Sequence, residues 1–312
     1  MAKHHICLTI DCDPDGLSGN VINRNANSWE SLNYLAHLNE ELSANFKCKI
    51  PITWFLRIDN QIKETFGSSL YLHEKLNIFW KNNTQYGNEL AWHPHFYTKD
   101  HNKETIIMVD QHELSDSMDY LWEDICKEKL LFTSFRNGEG WLNSLILDKI
   151  EKFGFLVDSS ALPGLFRTDG HPMNWENTPN HPYYINSTAI ETPQKESTII
   201  ELPINTWLTN TTYDIRPRLR YMNPAIHHHL FKEAVLLWKK NVIKLNQNNF
   251  FWVFILHPEE IMNKGKRDLL YAHSRSVMYE NLHFFNKIIH EMEDNFEYTT
   301  LATAGEKWKI LT

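Results

Sequence analysis

Eight short apolar runs, each ending in or beside a polar residue, set the tightest limit on how this chain can fold. They are HICLTID (5–11), ITWFLRID (52–59), ELAWH (89–93), LFTSFR (131–136), FGFLVDSS (153–160), STIIELPI (197–204), FFWVFILH (250–257) and FEYTTLATA (296–304). Several are apolar almost throughout, the pattern of strands covered on both faces. Segments with helical spacing of apolar residues lie between them, at 28–46, 112–131, 141–153, 224–245 and 274–296. In the first, Trp29, Leu32, Leu35 and Ala36 share a stripe, with Ser28 placed as a cap. Such alternation builds a parallel sheet or barrel. With 312 residues, 42% of them hydrophobic, the chain can bury a large core, and one domain over 1–312 is expected. The stretch at about 160–197 breaks the pattern: dense in Pro, Asn and Gly yet aromatic, it reads as a long ordered loop beside an active site.

Charge and cysteine usage exclude some partners. A net charge of -8, with no basic block longer than KGKR (264–267), argues against nucleic acid. No run approaches the 18 or so apolar residues of a membrane span. The start, MAKHHICLTID, lacks the apolar stretch of a signal peptide, so a cytoplasmic location is expected. Cys7, Cys12, Cys48 and Cys126 form no Cys-x-x-Cys pair and read as reduced structural thiols.

The polar residues at the run ends carry the functional signal. Asp11, His93, Arg136, Asp158 and His257 each sit at or just past the C-terminal end of a candidate strand. In a barrel those ends converge on one rim, where chemistry is normally built.

The first of these ends reads TIDCDPDG, with aspartates at 11, 13 and 15 before Gly16. A calcium loop starting at Asp11 would need an acid at its twelfth position, which is Ile22, and should follow a helix rather than a strand. An acidic turn facing water is the second reading, since Asp-Pro-Asp-Gly is a good turn sequence. The third pairs the aspartates with GNELAWHPHFY (87–97), which puts His93 and His95 two apart. If the segment is still extended at that point, both rings point the same way and can share a metal with a carboxylate. A satisfied pair of histidines remains the plainer alternative. Two nitrogens and one carboxylate with an open position is the pattern of a hydrolytic zinc site. In AIHHHLF (225–231), by contrast, consecutive helical histidines point in different directions and cannot all hold one ion.

These motifs together resemble the polysaccharide deacetylase family, the NodB-type carbohydrate esterases and their amidase relatives. The resemblance implies a distorted (β/α) barrel of seven or eight parallel strands, akin to a TIM barrel, and a divalent metal, commonly zinc. It implies hydrolysis of an N-acetyl, formyl or similar acyl bond. TIDCDPDG resembles the first motif and makes Asp11 the general base and Asp13 a metal ligand. GNEL leads into the second motif, where His93 matches the first histidine ligand. The usual second histidine, four residues on, is matched by Tyr97, and the family's His-x-His variants point instead to His95, with Tyr97 lining the site. SFRNGEGW (134–141) resembles the third motif: Arg136 matches the arginine that braces the base, Gly138 replaces the usual proline, and a backbone oxyanion donor falls near Glu139. Without the resemblance, Arg136 is equally a structural ion pair. VDSS (157–160) resembles the fourth motif, with Asp158 orienting the acid or serving only as a cap. FILHPEE (254–260) resembles the fifth, with His257 as the general acid, offset by a carboxylate such as Asp158. Glu139, Trp141, Trp175 and Tyr184 are the further substrate-binding candidates; the loop aromatics either stack on a sugar ring or pin the loop.

The expected activity is metal-dependent removal of an acetyl or formyl group from an amino sugar or glycan precursor. An amidase acting on a small non-sugar nitrogen compound is the enzyme alternative. An inactive carbohydrate-binding protein of the same fold is the non-enzyme alternative, disfavoured because such a protein would not need Asp11, Arg136 and His257.

Overall fold

The computed structural model describes residues 1–15, 29–99, 105–108, 110–168, 173–194, 197–242, 247–262 and 268–312. Ser28, Ile22 and the KGKR block fall outside these residues. All eight apolar runs contribute a strand to one sheet: β1 (Lys3–Cys12), β2 (Ile52–Leu56), β3 (Glu89–Trp92), β4 (Ser134–Phe135), β5 (Val157–Asp158), β6 (Ile199–Glu201), β7 (Asn249–Leu256) and β8 (Asn295–Tyr298). The order across the sheet is β6-β5-β4-β3-β2-β1-β7, every pair parallel, with β8 alongside the first half of β1. A short strand, Tyr183–Ile185, adds an antiparallel edge beyond β6. The result is a curved, mostly parallel sheet flanked by helices, a distorted (β/α) barrel.

Between β6 and β7 single residues replace a ladder. The Met222 N–H donates to the Asn205 carbonyl (2.7 Å), the Ile255 N–H donates to the Met222 carbonyl (3.1 Å), and the Val253 N–H donates to Asn205 Oδ1 (2.6 Å). Met222 follows the hairpin Thr206–Thr209/Arg218–Tyr221, which the sequence reading missed.

Both faces of the sheet are buried, as nearly unbroken apolar strands require. One face packs Ile6, Leu8 and Ile10 against the helices. The other packs Cys7, Phe55, Ala91, Val157, Ile200, Val253 and Ile255 together. The C-terminal helix Leu301–Leu311 closes this second face with Leu301 and Ala304. Its start falls inside the run 296–304, whose β-branched threonines read as strand; Thr300 instead caps the helix by accepting from the Thr303 N–H.

The segment 28–46 forms two helices, Glu30–Tyr34 and Leu38–Phe46. Between them the bonds tighten to i→i+3 spacing, from Leu35 to Leu32, Ala36 to Asn33 and Leu38 to Leu35. The break keeps Trp29, Leu32 and Leu35 buried but turns Ala36 to solvent. In the fourth run only Ser134 and Phe135 are strand, and Leu131 is exposed. The described part of 160–197 is ordered and carries short strands at Phe166–Arg167, Met173–Asn174 and Tyr183–Ile185. All four cysteines are free thiols. Among the described residues no helix is long and apolar enough to cross a membrane.

Candidate metal centre and active site

Strand alternation decides which side chains meet. Cys7, Phe55, Ala91, Val157 and Ile255 share one face, so Asp11, Arg57, His93, Ser159 and His257, each an even number of residues further on, fall on that same face, where Arg136 meets Asp11. The strands end there, and the side chains close on a cavity of about 800 Å³ lined by Asp11, Asp13, His93, His95, Arg136 and His257 among others.

Ligand atoms of Asp13, His93 and His95 all lie within 4.8 Å of one another, and all three residues are buried. Nδ1 of His93 donates to the Arg136 carbonyl (2.9 Å), which fixes the tautomer and leaves Nε2 with a bare lone pair. Nε2 of His95 stands 3.1 Å from it. Two nitrogens bound to one tetrahedral ion stand about 3.3 Å apart, given bonds of about 2.0–2.1 Å. Asp13 lies 3.6 Å from His95 Nε2 and 4.0 Å from His93 Nε2. Unless one of these nitrogens carries a proton toward the other, their lone pairs need a cation between them, and with Asp13 the donor set fits a divalent ion. Burial works to raise the Asp13 pKa, but His95, Arg57, His93 and His257 together hold its carboxyl well below the usual range.

Gly138 makes room for His95. A Cβ on Gly138 would lie 2.2 Å from His95 Cδ2, and the Gly138 N–H donates to the Pro94 carbonyl at 2.8 Å. Asp15 turns away from the cluster, accepting from the Ser31 N–H (3.2 Å) and its hydroxyl.

Asp11 sits beside the cluster with its own cation. Nη1 of Arg136 donates to Asp11 Oδ1 (2.7 Å) and to Thr9 Oγ1 (2.9 Å), while Nε and Nη2 donate to the Ser159 carbonyl (2.9 Å) and hydroxyl (3.0 Å). The guanidinium lies over Phe55, 4.1 Å from the ring centroid. All three nitrogens donate, which makes a buried arginine tolerable and aims Asp11. Asp11 Oδ2 is 3.7 Å from His93 Nε2.

His257 faces the cluster from β7. Its Nε2 lies 3.8 Å from Asp13 Oδ2, and its Nδ1 pairs with Glu260 Oε1 at 3.0 Å. Glu260 Oε2 accepts from the His257 N–H (2.8 Å) and from Asn223 Nδ2 (2.7 Å). Burial opposes the imidazolium, but Glu260, Asp11 and Asp13 raise its pKa to about 10.

The carboxylate partner of His257 is therefore Glu260 and not Asp158. Asp158 is one residue out of phase with Val157 and Ser159, and strand alternation turns it to the opposite face of the sheet. There it accepts from the Ser160 hydroxyl (2.7 Å) and pairs with Glu201, its register neighbour on β6.

Of the substrate-binding candidates, Glu139 lines the cavity, with left-handed backbone at φ 59°. Tyr97, Trp141, Trp175 and Tyr184 do not line it. Tyr97 donates its hydroxyl to Glu139 Oε1 (3.2 Å), and Trp175 donates Nε1 to the Gly140 carbonyl (2.9 Å). The Trp141 carbonyl accepts from Asn137 Nδ2 (2.5 Å), and Tyr184 packs edge-on against Trp308, ring centroids 4.9 Å apart. Tyr97 and Trp175, buried with their side-chain polar atoms bonded, pin their loops.

Sequence reasoning missed Arg57, Asp59, Gln61 and Glu260. The available signals were two: charges alternating with other residues in R-I-D-N-Q, and a glutamate three residues after His257.

No family model matches the chain, and no curated protein matches it significantly. Among solved structures it is similar to a protein from Mycobacterium smegmatis provisionally named a polysaccharide deacetylase, at 14% identity and a TM-score of 0.51, covering 99% of this chain and 91% of that one. A 4-α-glucanotransferase from Thermococcus litoralis matches at 13% identity and TM-score 0.43, covering 97% and 38%. A family 4 carbohydrate esterase from Streptomyces lividans, in complex with acetate, matches at 11% and 0.40, covering 96% and 95%. The first likeness speaks for the fold alone. The chain thus combines a distant polysaccharide-deacetylase-like fold with an Asp-His-His metal-ligand cluster.

Proposed function

We propose that the protein is a metal-dependent hydrolase that removes an acetyl or formyl group from the nitrogen of an amino sugar or sugar conjugate, with zinc as the ion. The carrying observation is the placing of two ion-paired couples, Asp11–Arg136 and His257–Glu260, against the Asp13–His93–His95 cluster, Asp11 beside His93 and His257 beside Asp13. A divalent ion held by those three residues would acidify a water and polarise the acyl oxygen.

The side chains supply the proton transfers. Asp11, aimed by Arg136, takes the proton of the attacking water. His257 holds its proton through Glu260 and gives it from Nε2 to the leaving nitrogen, which is a poor leaving group without it. A backbone donor near Glu139 shares the developing negative charge on the acyl oxygen. The retained base and acid favour turnover over a binding-only role. The four free thiols suit a reducing compartment such as the cytoplasm.

One observation favours the amidase reading as a second choice. Away from the cluster part of the cavity wall is an apolar stretch, Leu162, Leu165, Trp207, Leu219, Ile226 and Leu270, set beside the polar Arg167, Thr206, Thr209, Arg220, Asp268 and His273. The apolar stretch suits a small apolar nitrogen compound better than a row of sugar hydroxyls. The test is a panel of N-acetyl and N-formyl amino sugars beside simple aryl and alkyl amides, each run with and without chelator. Chelator-sensitive release of acetate or formate from sugars supports the first reading. Cleavage confined to the simple amides supports the second, and no cleavage of either overturns both.

A further inference from the structure

Arg57 has no part in the proton transfers, yet it is one of the largest fully buried side chains. A guanidinium stripped of water is costly unless acceptors meet it on each side. Nη1 donates to Asp13 Oδ1 at 2.5 Å, Nη2 donates to Gln61 Oε1 at 2.8 Å, and Nε donates to Asp59 Oδ2. The same Asp59 Oδ2 accepts from the His95 backbone N–H (3.0 Å), and Oδ1 accepts from the Ile62 N–H (3.0 Å), which anchors Asp59 as the cap of helix Asn60–Phe66. A continuous chain of hydrogen bonds therefore runs from the Asp13 carboxylate through Arg57 and Asp59 to the backbone of His95. Its two ends are two of the three ligand residues.

We propose that Arg57 is a positioning residue for the metal. With Asp59 it holds Asp13 and His95 in ligating geometry before an ion arrives, and by holding Asp13 through one oxygen it discourages chelation through both. This rests on the metal-hydrolase reading and adds to it the element that presets the ligands. The arrangement gives each active-site aspartate its own buried arginine, Asp11 with Arg136 and Asp13 with Arg57. Arginine suits the task because its fixed fork reaches three acceptors at once, whereas a lysine keeps the charge but not the fork.

The test compares wild type with Arg57→Lys and Asp59→Asn, which break the chain at different links. Zinc affinity is read by competition with a chromophoric chelator, ligand geometry by the visible absorption of the cobalt-loaded protein, and folding by melting of the metal-free protein. The expected result is zinc binding weakened at least tenfold in both variants, with a changed cobalt spectrum, beyond anything the melting temperature accounts for. Wild-type affinity and an unchanged cobalt spectrum in both variants, even with lowered melting temperatures, would leave Arg57 a structural residue and overturn the proposal. Should wild type itself take up neither zinc nor cobalt, the metal reading fails first and this proposal with it.

Discussion

The imidazole of His95 lies so close to the α-carbon of Gly138 that a methyl group there would sit 2.2 Å from its Cδ2. The histidine at 95 and the glycine at 138 are thus one structural fact. Histidine two residues after His93 needs the space that a side chain at 138 would fill. Gly138→Ala is expected to push the ring out of line and weaken metal binding at least tenfold, about 1.4 kcal/mol. Metal titration of the purified variant checks this. Unchanged affinity would mean that the ring is not a ligand or that the 138–140 turn gives way freely.

His257 and Glu260 predict a pH dependence. Burial lowers the imidazolium pKa, Glu260 and the active-site aspartates outweigh it, and the value reaches about 10. The proton is therefore held through neutral pH and lost as pH rises through the upper value, so amide turnover falls on the alkaline side. A divalent ion beside Asp13 acts the other way, placing the limb of the loaded enzyme somewhat lower. Glu260→Gln removes the leading raising cause, and the alkaline limb of kcat/KM should move to lower pH. A limb that stays in place would separate Glu260 from the acid.

His257→Gln should slow amide hydrolysis by roughly 10²–10⁴-fold with metal content unchanged. An activated ester, whose leaving group hardly needs a proton, should slow much less. Equal slowing of both substrates would make His257 an oxyanion or structural residue.

Asp158 and Glu201 predict a stability effect away from the chemistry. Burial, and then each other's charge, raise the Glu201 pKa well above the usual range; burial also raises that of Asp158. The folded protein thus holds more protons here than the unfolded chain, so this pair's contribution is fully present below the unfolded pKa near 4 and is lost as pH rises toward the folded value. Glu201→Gln keeps the shape and a donor toward Asp158 without needing the proton. It should raise the melting temperature at pH 8 relative to wild type and change it little at pH 4. A lower melting temperature at both pH values would contradict the shared-proton account.

The sequence made most of this legible, and where it did not the reasons are local. Strands buried on both faces announce themselves as apolar runs, and their polar ends located Asp11, His93, Arg136 and His257. Asp158 was misjudged as a partner for His257 because a motif match ignores strand phase, and a single residue step reverses the face. Arg57 was hidden by its neighbours: it ends the apolar run of β2, and nothing local says that its fork reaches Asp13, 44 positions away in the chain. The hairpin 206–221 gave no strong pattern because its cavity-lining residues, Thr206, Trp207, Leu219 and Arg220 among them, come from both of its faces and mix polar with apolar. The aromatics of 160–197 were readable as ordered, but packing alone assigned Trp175 to the Gly140 turn.

The central claim is that Asp13, His93 and His95 hold one hydrolytic metal ion while Asp11 acts on water beside it. Metal content and amide turnover of wild type, Asp11→Asn, Asp13→Asn, His93→Ala and His95→Ala, measured on the same preparations, test it directly. The account predicts about one divalent ion per chain in wild type and in Asp11→Asn, with turnover only in wild type, and loss of both ion and turnover in the other three. Full metal occupancy in His95→Ala, or loss of the ion in Asp11→Asn, would contradict it.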